Sequence, residues 1–394
     1  MPEHLNIYAV GDFGPPDEQN PRWLTGHLNG WPLLEALSRA PSTAEALAEG
    51  GALPASDVTA KLGALAGLGL VRLEGGRYHL GFAWFSAADQ ELINSAVQPV
   101  AAELAEVLLG RRTELDAQID RLTARRWCEP RDLRFALIGC FGLDWGGLEA
   151  LKASGHLVHD KEQPGGRRYI LYVEERVDRF SERDYTGSHS TRLGDQYTWT
   201  SFGDHGGRRY ALPDYLFHLQ AAVVRDESLP AEQRRALSLL VLQALHAQLG
   251  AAADAMISGL RGDKREGLGW QLLEAVGAVR IEWQGAPSIP VFHRVWDGAA
   301  MDRIVSTVQE CLLQVVHRRY GYLRDRLHSI TPLRHGVAFG ECFNPIWHTL
   351  FGHTNRMLAE GGYLADPTPS HPGEGRYRWW LTVECETTYI EVDV

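Results

Sequence analysis

The stretch over residues 62–78 most constrains what this chain can fold into. Its apolar residues recur at helical spacing up to Leu68, and Gly69 then favours a helix end because glycine adopts the left-handed conformation without a Cβ clash. The next residues alternate between apolar and charged, which is the period of a half-buried strand, and Gly75-Gly76 is typical of a tight hairpin turn. The stretch predicts a helix followed directly by a two-stranded β-ribbon.

A similar pattern recurs about 200 residues later, where Trp270 and Leu273 precede Gly277 at the spacing seen before Gly69. Other matches keep nearly the same offset and order. Val97-Gln98 recurs as Val308-Gln309, and Cys140-Phe141 recurs as Cys342-Phe343. These matches predict a tandem duplication of a block made of a winged helix, a long helix and a second winged unit. A chance match between common leucine and glycine patterns is the alternative.

Length and charge exclude several classes of protein. A chain of 394 residues is too long for one compact core, and its net charge of -11 argues against a surface coated with basic residues for nonspecific nucleic-acid binding. No signal-peptide pattern opens the sequence, and no apolar run approaches the roughly 18 residues of a membrane span. Five scattered cysteines give no disulfide framework. We therefore expect a cytoplasmic protein without a membrane partner.

Two further helices precede the helix–ribbon stretch. A first helix begins at Trp31, and a capping box at Ser42-Thr43-Ala44-Glu45 predicts that the Ser42 hydroxyl and the Glu45 carboxylate open a second. The third helix begins at Pro54-Ala55-Ser56-Asp57. The order helix, helix, helix, strand, strand is that of a winged helix-turn-helix.

This segment resembles the ArsR-type winged-helix transcriptional regulators over residues 33–37, 43–48, 62–69 and 71–78. It is equally similar to the N-terminal dimerisation domain of small-molecule O-methyltransferases, which shares the architecture and does not read DNA. In those enzymes a Rossmann domain with a glycine-rich loop follows. The nearest candidate here, Gly267-Leu268-Gly269, lies on a helical pattern and lacks a preceding strand.

We expect an α+β fold that is predominantly α, with several winged-helix units joined by long helices. The expected segments are an N-terminal arm (1–28), a winged helix-turn-helix (29–85), a long helix (86–126), a second winged unit (127–180), a linker (181–211), a helical region with a third winged unit (212–297), a second long helix (298–330) and a fourth winged unit (331–394).

DNA reading would require the third helix to present side chains to the major groove and the wing to contact phosphates. Only one of the outward residues of that helix is basic, and none is suited to a bidentate base contact. Use of the winged units for dimerisation or packing is the alternative. The candidate DNA-binding residues are Ser56, Thr59, Lys61, Arg72 and Arg77 in the first copy and Lys264, Arg265, Gln271 and Arg280 in the second.

Two arginine clusters on the long helices, around Arg111-Arg112 and Arg318-Arg319, could contact phosphates. Binding to acidic residues of neighbouring segments is the favoured alternative, because acids are plentiful in this chain. Aromatic residues are concentrated near the C-terminus, at Trp379, Trp380 and Tyr389. They could pack within a sheet or line an effector pocket between modules.

The sequence contains no P-loop, G-x-S-x-G or H-E-x-x-H motif. An enzymatic function would require polar residues of the linker to converge in space, and these are His189, Asp195, Asp204 and His205. The candidates for metal sensing are Cys342 with His348 and His353, or the pair His317 and His328, about three turns apart on one helix. His348 and His353 are five residues apart, which does not place them on one helical face. We predict no enzymatic activity, no cofactor and no metal.

The leading hypothesis is a DNA-binding transcriptional regulator of ArsR-like winged-helix type that responds to a small-molecule effector. Its partner would be double-stranded DNA, bound either by a monomer with pseudo-two-fold symmetry or by a homodimer. The alternative is a winged-helix scaffold that binds protein or small molecules without reading DNA. The weak third helix and the net charge favour that alternative.

Overall fold

The fold is α+β and predominantly α, as the sequence predicts. The computed structural model describes residues 4–12, 30–51, 54–163, 166–177, 180–204, 209, 211–212, 214, 222–223, 228–260, 266–280, 286–367 and 375–385. The described residues group into two compact units. The first unit contains Met1–Ala101, Leu148–Arg179 and Leu313–Leu350, and the second contains Ala102–Gly147, Phe180–Leu312 and Phe351–Val394.

The N-terminal part of the chain forms three helices and a ribbon, in the order that the sequence predicts. The described elements are β1 (Leu5–Asp12), α1 (Trp31–Arg39), α2 (Ala44–Glu49), α3 (Ala55–Gly67), β2 (Val71–Glu74), β3 (Arg77–Leu80) and β4 (Ala83–Phe85). Leucines of the three helices form one buried core with residues of the sheet that contains β1.

The long helix predicted over 86–126 is divided, because α4 (Ala87–Gly110) ends at a glycine, a residue of low helix propensity. A π-helix, which the sequence did not predict, then follows a short helix. The elements after α4 are α5 (Arg112–Ile119), a 3-10 turn (Thr123–Arg126), α6 (Pro130–Arg134), the π-helix (Phe135–Gly146), α7 (Gly147–Ala153), β5 (Lys161–Glu162) and β6 (Arg168–Glu175).

The segment 181–211, predicted as a linker, supplies two strands of a sheet. The short strands that the sequence allowed in this linker or ordered loop are present, and aromatic and β-branched residues alternate from Tyr197 to Thr200, which is a strand signal. The elements are a 3-10 turn (Ser181–Tyr185), β7 (Ser188–Leu193), β8 (Tyr197–Gly203), α8 (Ala231–Leu260), α9 (Leu268–Ala275), β9 (Val279–Arg280), β10 (Ala286–Pro287) and β11 (Val291–His293).

The second long helix is continuous for 33 residues. The last elements are α10 (Arg294–Arg326), α11 (Thr331–Arg334), α12 (Phe339–Glu360) and β12 (Tyr377–Val383).

The two larger sheets share an arrangement of three strands, and the fourth strand differs: β5 pairs with β6 in the first sheet, and β7 pairs with β8 in the second. In the first unit, β6 is central and pairs antiparallel with β1 and parallel with β4. In the second unit, β12 is central and pairs antiparallel with β8 and parallel with β11. The strands that pair parallel, β4 and β11, each come directly before a long helix in the chain. The central strands, β6 and β12, each come later in the chain than a helical segment. The N-terminal segment that was predicted as an arm contains the strand β1, which pairs with β6.

Each unit also contains one buried aspartate that ties the start of a long helix to a short helix from the other half of the chain. In the first unit, the Asp89 carboxylate accepts hydrogen bonds from the backbone N–H groups of Ser86 at 2.8 Å and Thr331 at 3.1 Å. In the second unit, the Asp297 carboxylate accepts from the N–H groups of His293 and Thr123, both at 2.8 Å. These contacts satisfy helix N-terminal donors that lack an intrahelical partner.

Replacement of Asp297 by Ala should be strongly destabilising. The carboxylate is 0% exposed and also accepts from the Thr123 hydroxyl at 2.8 Å, so its loss leaves three donors unsatisfied. We expect the free energy of unfolding, measured with urea, to fall by roughly 2–4 kcal/mol. The control is Asp302→Ala, whose side chain is 76% exposed, and it should change stability by less than about 0.5 kcal/mol. Equal losses in the two variants would contradict this role.

Candidate nucleic-acid interface

Helix α3 has a buried face and an exposed face. Val58, Leu62 and Leu65 are at most 1% exposed and pack into the core of the first unit. Ser56 and Thr59 are exposed, as the sequence predicted, whereas Lys61 is partly buried. The exposed face therefore offers short hydroxyl side chains, which reach either a base edge or a phosphate.

The start of α2 differs from the prediction by one residue. Thr43, not Ser42, is the N-cap, and its hydroxyl accepts a hydrogen bond from the Ala46 N–H at 3.2 Å. Hydrogen bonds from its own backbone N–H and then from the Thr43 side chain lower the pKa of the Glu45 carboxyl. Ser42 is displaced from the cap because its backbone pairs with Tyr78 of β3, with N–O distances of 2.8 and 3.2 Å. The ribbon is thereby attached to the segment between α1 and α2.

The end of α3 is a Schellman motif at the predicted glycine. Gly69 has φ +72°, its N–H donates to Ala66 O, and the Leu70 N–H donates to Leu65 O at 2.9 Å. The chain then enters β2 directly, and a loop of two glycines leads into β3. The exposed tip of this ribbon includes Leu73, which is 59% exposed.

The two arginines of this ribbon have different surroundings. Arg72 donates a hydrogen bond to the backbone oxygen of His335 and forms an ion pair with Glu74 at 3.1 Å. Arg77 is exposed at the end of the ribbon and donates to Pro41 O at 3.3 Å. Arg72 is therefore bound to neighbouring groups although its side chain is 39% exposed, and Arg77 is the more exposed of the two ribbon arginines.

His335 is the residue of this site that the sequence did not indicate. Its ring is buried, and its Nδ1 accepts a hydrogen bond from the Leu80 N–H at 3.2 Å. The ring of His79 meets it edge-on at 6.0 Å. Burial lowers the pKa of His335 to about 4, and the nearby positive charges of Arg72 and Arg334 act in the same direction. A neutral His335 therefore fixes both strands of the ribbon, through its ring and its backbone oxygen.

The stretch around Gly277 has a similar local arrangement. Helix α9 ends at Gly277, whose φ is +69°, and the Ala278 N–H donates to Leu273 O at 2.8 Å. Strands β9 and β10 then form a short antiparallel ribbon. Gln271 is exposed on α9, opposite the buried Trp270 and Leu273.

Three of the candidate residues predicted near Gly277 are described only in part or not at all. Lys264 and Arg265 lie outside the described residues. Arg280 belongs to β9, and its backbone pairs with Ala286.

The arginine cluster of the first long helix is largely neutralised by acids, as the favoured alternative predicted. Arg111 forms ion pairs with Glu114 at 2.6 Å and with Glu310 at 3.3 Å. Arg112 pairs with Asp116 at 3.2 Å. This surface is therefore not a basic ridge in the described residues.

Two of the polar residues that the sequence places in a possible convergence, His189 and Asp204, share one neighbourhood, and Asp195 lies apart from them. His189 Nδ1 is 2.5 Å from the buried Asp214. Asp195 lies at an exposed turn and forms an ion pair with Arg192. Asp204 forms hydrogen bonds with the backbone of Arg376. His205 lies outside the described residues. The carboxylates of Asp214 and Asp204 both lie near the guanidinium of the buried Arg209, which donates a hydrogen bond to the Asp204 backbone oxygen at 2.6 Å.

The residues considered for metal binding are engaged in packing or hydrogen bonds. Cys342 is 0% exposed, and burial raises the pKa of its thiol, which disfavours a thiolate ligand. His348 Nδ1 lies 2.9 Å from Asn344 O. Burial and the Arg356 guanidinium lower the pKa of His353 to about 4. Among the described residues, no group of three or more His, Cys, Asp or Glu is placed to hold a metal ion.

The aromatic residues of β12 form packing contacts. Trp380 is 1% exposed and lies 5.8 Å from Phe141 between ring centroids, and Trp379 lies 5.6 Å from Trp199. The packing interpretation therefore accounts for these two residues, and Tyr389 lies outside the described residues.

Comparison with known proteins gives no match to a family model, to a curated protein or to a solved structure.

The buried, neutral His335 predicts acid sensitivity. Its pKa is about 4 in the folded protein and 6.5 ordinarily, so the unfolded chain takes up a proton that the folded chain does not. The stability it contributes is present above about pH 6.5 and is lost as the pH falls towards 4. Between pH 7 and pH 5, its contribution to the free energy of unfolding should fall by roughly 2 kcal/mol.

Urea unfolding of the wild type and of His335→Gln at both pH values checks this effect. The variant should be less stable at pH 7 and should lose less stability on acidification. His353 is present in both proteins, so its contribution cancels. His328→Gln, at an exposed position, serves as the control and should keep the wild-type pH dependence. An unchanged pH dependence in His335→Gln would show that the assignment is wrong.

Proposed function

We propose that this protein is a DNA-binding transcriptional regulator of winged-helix type. The observation that supports it best is the exposed face of α3, which lies immediately before a ribbon whose tip is also exposed. Ser56 and Thr59 lie on this face one helical turn apart, and Arg77 lies on the ribbon. A helix of this kind enters the major groove, while the ribbon contacts the flanking backbone.

Contacts to the groove and contacts to phosphates would contribute differently to DNA binding by this helix and ribbon. Ser56 and Thr59 are neutral and short, so they give limited discrimination between base pairs. Arg77 supplies a charge for a phosphate. We therefore propose binding of modest sequence specificity, dominated by shape and backbone contacts.

We further propose that the chain arose by tandem duplication and carries two such heads. Three features of the halves support this: the shared arrangement of three strands in the two larger sheets, Schellman motifs at Gly69 and Gly277, and aspartates at corresponding helix starts. One chain would then supply the pair of heads that two subunits of a dimer usually supply. Gln271 would be the corresponding groove-facing residue of the second head.

A scaffold that binds a protein partner without reading DNA is the second candidate. Two observations favour it: Arg72 is held by His335 and Glu74, and the exposed ribbon tip includes the apolar Leu73. The net charge of -11 also disfavours nonspecific attraction to DNA.

DNA binding measured by fluorescence anisotropy separates the two candidates. We expect a labelled random-sequence duplex to bind in a salt-dependent way, and Arg77→Ala to weaken binding and reduce the salt slope by about 1. Thr59→Ala should lower affinity on selected sequences while leaving the slope unchanged. Arg192→Ala is the matched control, because it removes the same charge from an exposed strand position in the second unit.

Two outcomes would count against the regulator. One is the absence of binding at low salt, which would favour the scaffold. The other is equal loss in Arg77→Ala and Arg192→Ala, which would mean that binding is only diffuse charge attraction. We avoid Arg72→Ala as a probe, since its loss would disturb the ribbon itself.

A further inference from the structure

Helix α8 uses one face to pack into the core of the second unit. Leu249, Ala252, Ala253 and Met256 are buried there, and the earlier Leu242 and Leu245 are partly buried against the same core. These positions recur every three or four residues and therefore lie on one side of the helix.

The opposite face of α8 is apolar and exposed. Leu237 is 40% exposed and Leu240 is 60% exposed. Exposed residues along this face follow a spacing of alternating four and three residues, which is the pattern of a coiled-coil seam. The seam consists of Gln233, Leu237, Leu240, Ala244, Ala247 and Ala251.

The seam carries no charge over most of its length. Between Ala236 and Ala253 the helix has no Asp, Glu, Lys or Arg. A partner recognised by ion pairs would therefore find no complement here, whereas a second neutral apolar helix would. At about 1.5 Å per residue, the seam from Gln233 to Ala251 is roughly 27 Å long.

We propose that this seam is an interface with a second copy of the same chain, in which the two α8 helices pair antiparallel. The antiparallel arrangement places the leucines of one seam against the alanines of the other. In the favoured register, Leu237 lies opposite Ala247 and Leu240 lies opposite Ala244, so every large side chain faces a small one. A parallel pair would instead place leucine against leucine at one end and alanine against alanine at the other, which spaces the helices unevenly. The two-fold symmetry closes the assembly at a dimer.

A lipid surface is the other environment for an apolar helix of this length. Contrary to the sequence expectation that no apolar run approaches a membrane span, two helices of the described chain, Ala87–Gly110 and Glu232–Leu260, are by length and composition long and apolar enough to cross one, but the core helices of proteins pass the same test. Helix α8 packs one side against a protein core, so it does not present an apolar surface all round. This observation favours a protein partner on its exposed side.

Analytical ultracentrifugation over a range of concentrations, without DNA, tests the dimer independently of the proposed function. Wild type should dimerise, and Leu240→Glu should weaken dimerisation at least tenfold because it places a charge in an apolar seam. Leu239→Glu is the matched control: Leu239 is 55% exposed on the same helix but lies outside the seam, so this variant should dimerise like the wild type. Circular dichroism at a concentration too low for dimerisation should give the same melting temperature for both variants, because a dimer would itself raise that temperature by mass action.

The orientation is tested by mixing separately purified Leu240→Cys and Ala244→Cys proteins under mild oxidation, with oxidised wild type as the background. The mixture should form more disulfide-linked dimer than either variant alone, whereas a parallel pair would cross-link Leu240→Cys with itself. A wild type that stays monomeric at all concentrations would overturn the proposal. A Leu240→Glu protein that dimerises normally would also overturn it, as would preferential cross-linking of Leu240→Cys with itself. Co-flotation of the monomer with phosphatidylcholine vesicles, if it is lost in Leu240→Glu, would instead assign the seam to a lipid surface and overturn the dimer.

Discussion

The structure depends on the abrupt change from helix to ribbon at Gly69 and at Gly277. A residue in the left-handed conformation lets the last helical carbonyls be capped by the amides of Leu70 and Ala278, and it turns the chain into a strand without a connecting loop. The apolar face of the helix and the first strand residue then enter the same core. A side chain with a Cβ at either glycine would strain this turn, because positive φ is costly for most residues.

Much of this local geometry could be predicted from the sequence, because its causes are local. The helix stop, the two-glycine loop and the start of α3 after Pro54 all follow from short-range preferences. The cap of α2 was misplaced by one residue because the pairing of Ser42 with Tyr78 decides it, and that pairing joins residues far apart in sequence. Local rules rank the possible caps but do not decide between neighbours.

The parts that could not be predicted are those set by long-range contacts. The pairing of β1 with β6 joins the two ends of the first half of the chain, and no local signal specifies that register. His335 reaches the ribbon from a segment of the other half, so its role at Leu80 is invisible in either sequence stretch alone. The π-helix is similar, since its bonding pattern has no simple sequence signature. The alternating strand at Tyr197–Gly203, by contrast, had a readable signal.

Hydrogen exchange of the native protein, resolved at single amides, tests most directly whether the chain is built twice around the same helix–ribbon junction. The account predicts that the amides of Leu70 and Ala278, which cap the two helix ends, exchange far more slowly than in an unfolded peptide. It also predicts protection of the Leu80 amide, which donates to His335. Exchange of Leu70 or Ala278 at the rate of an unstructured chain would contradict it.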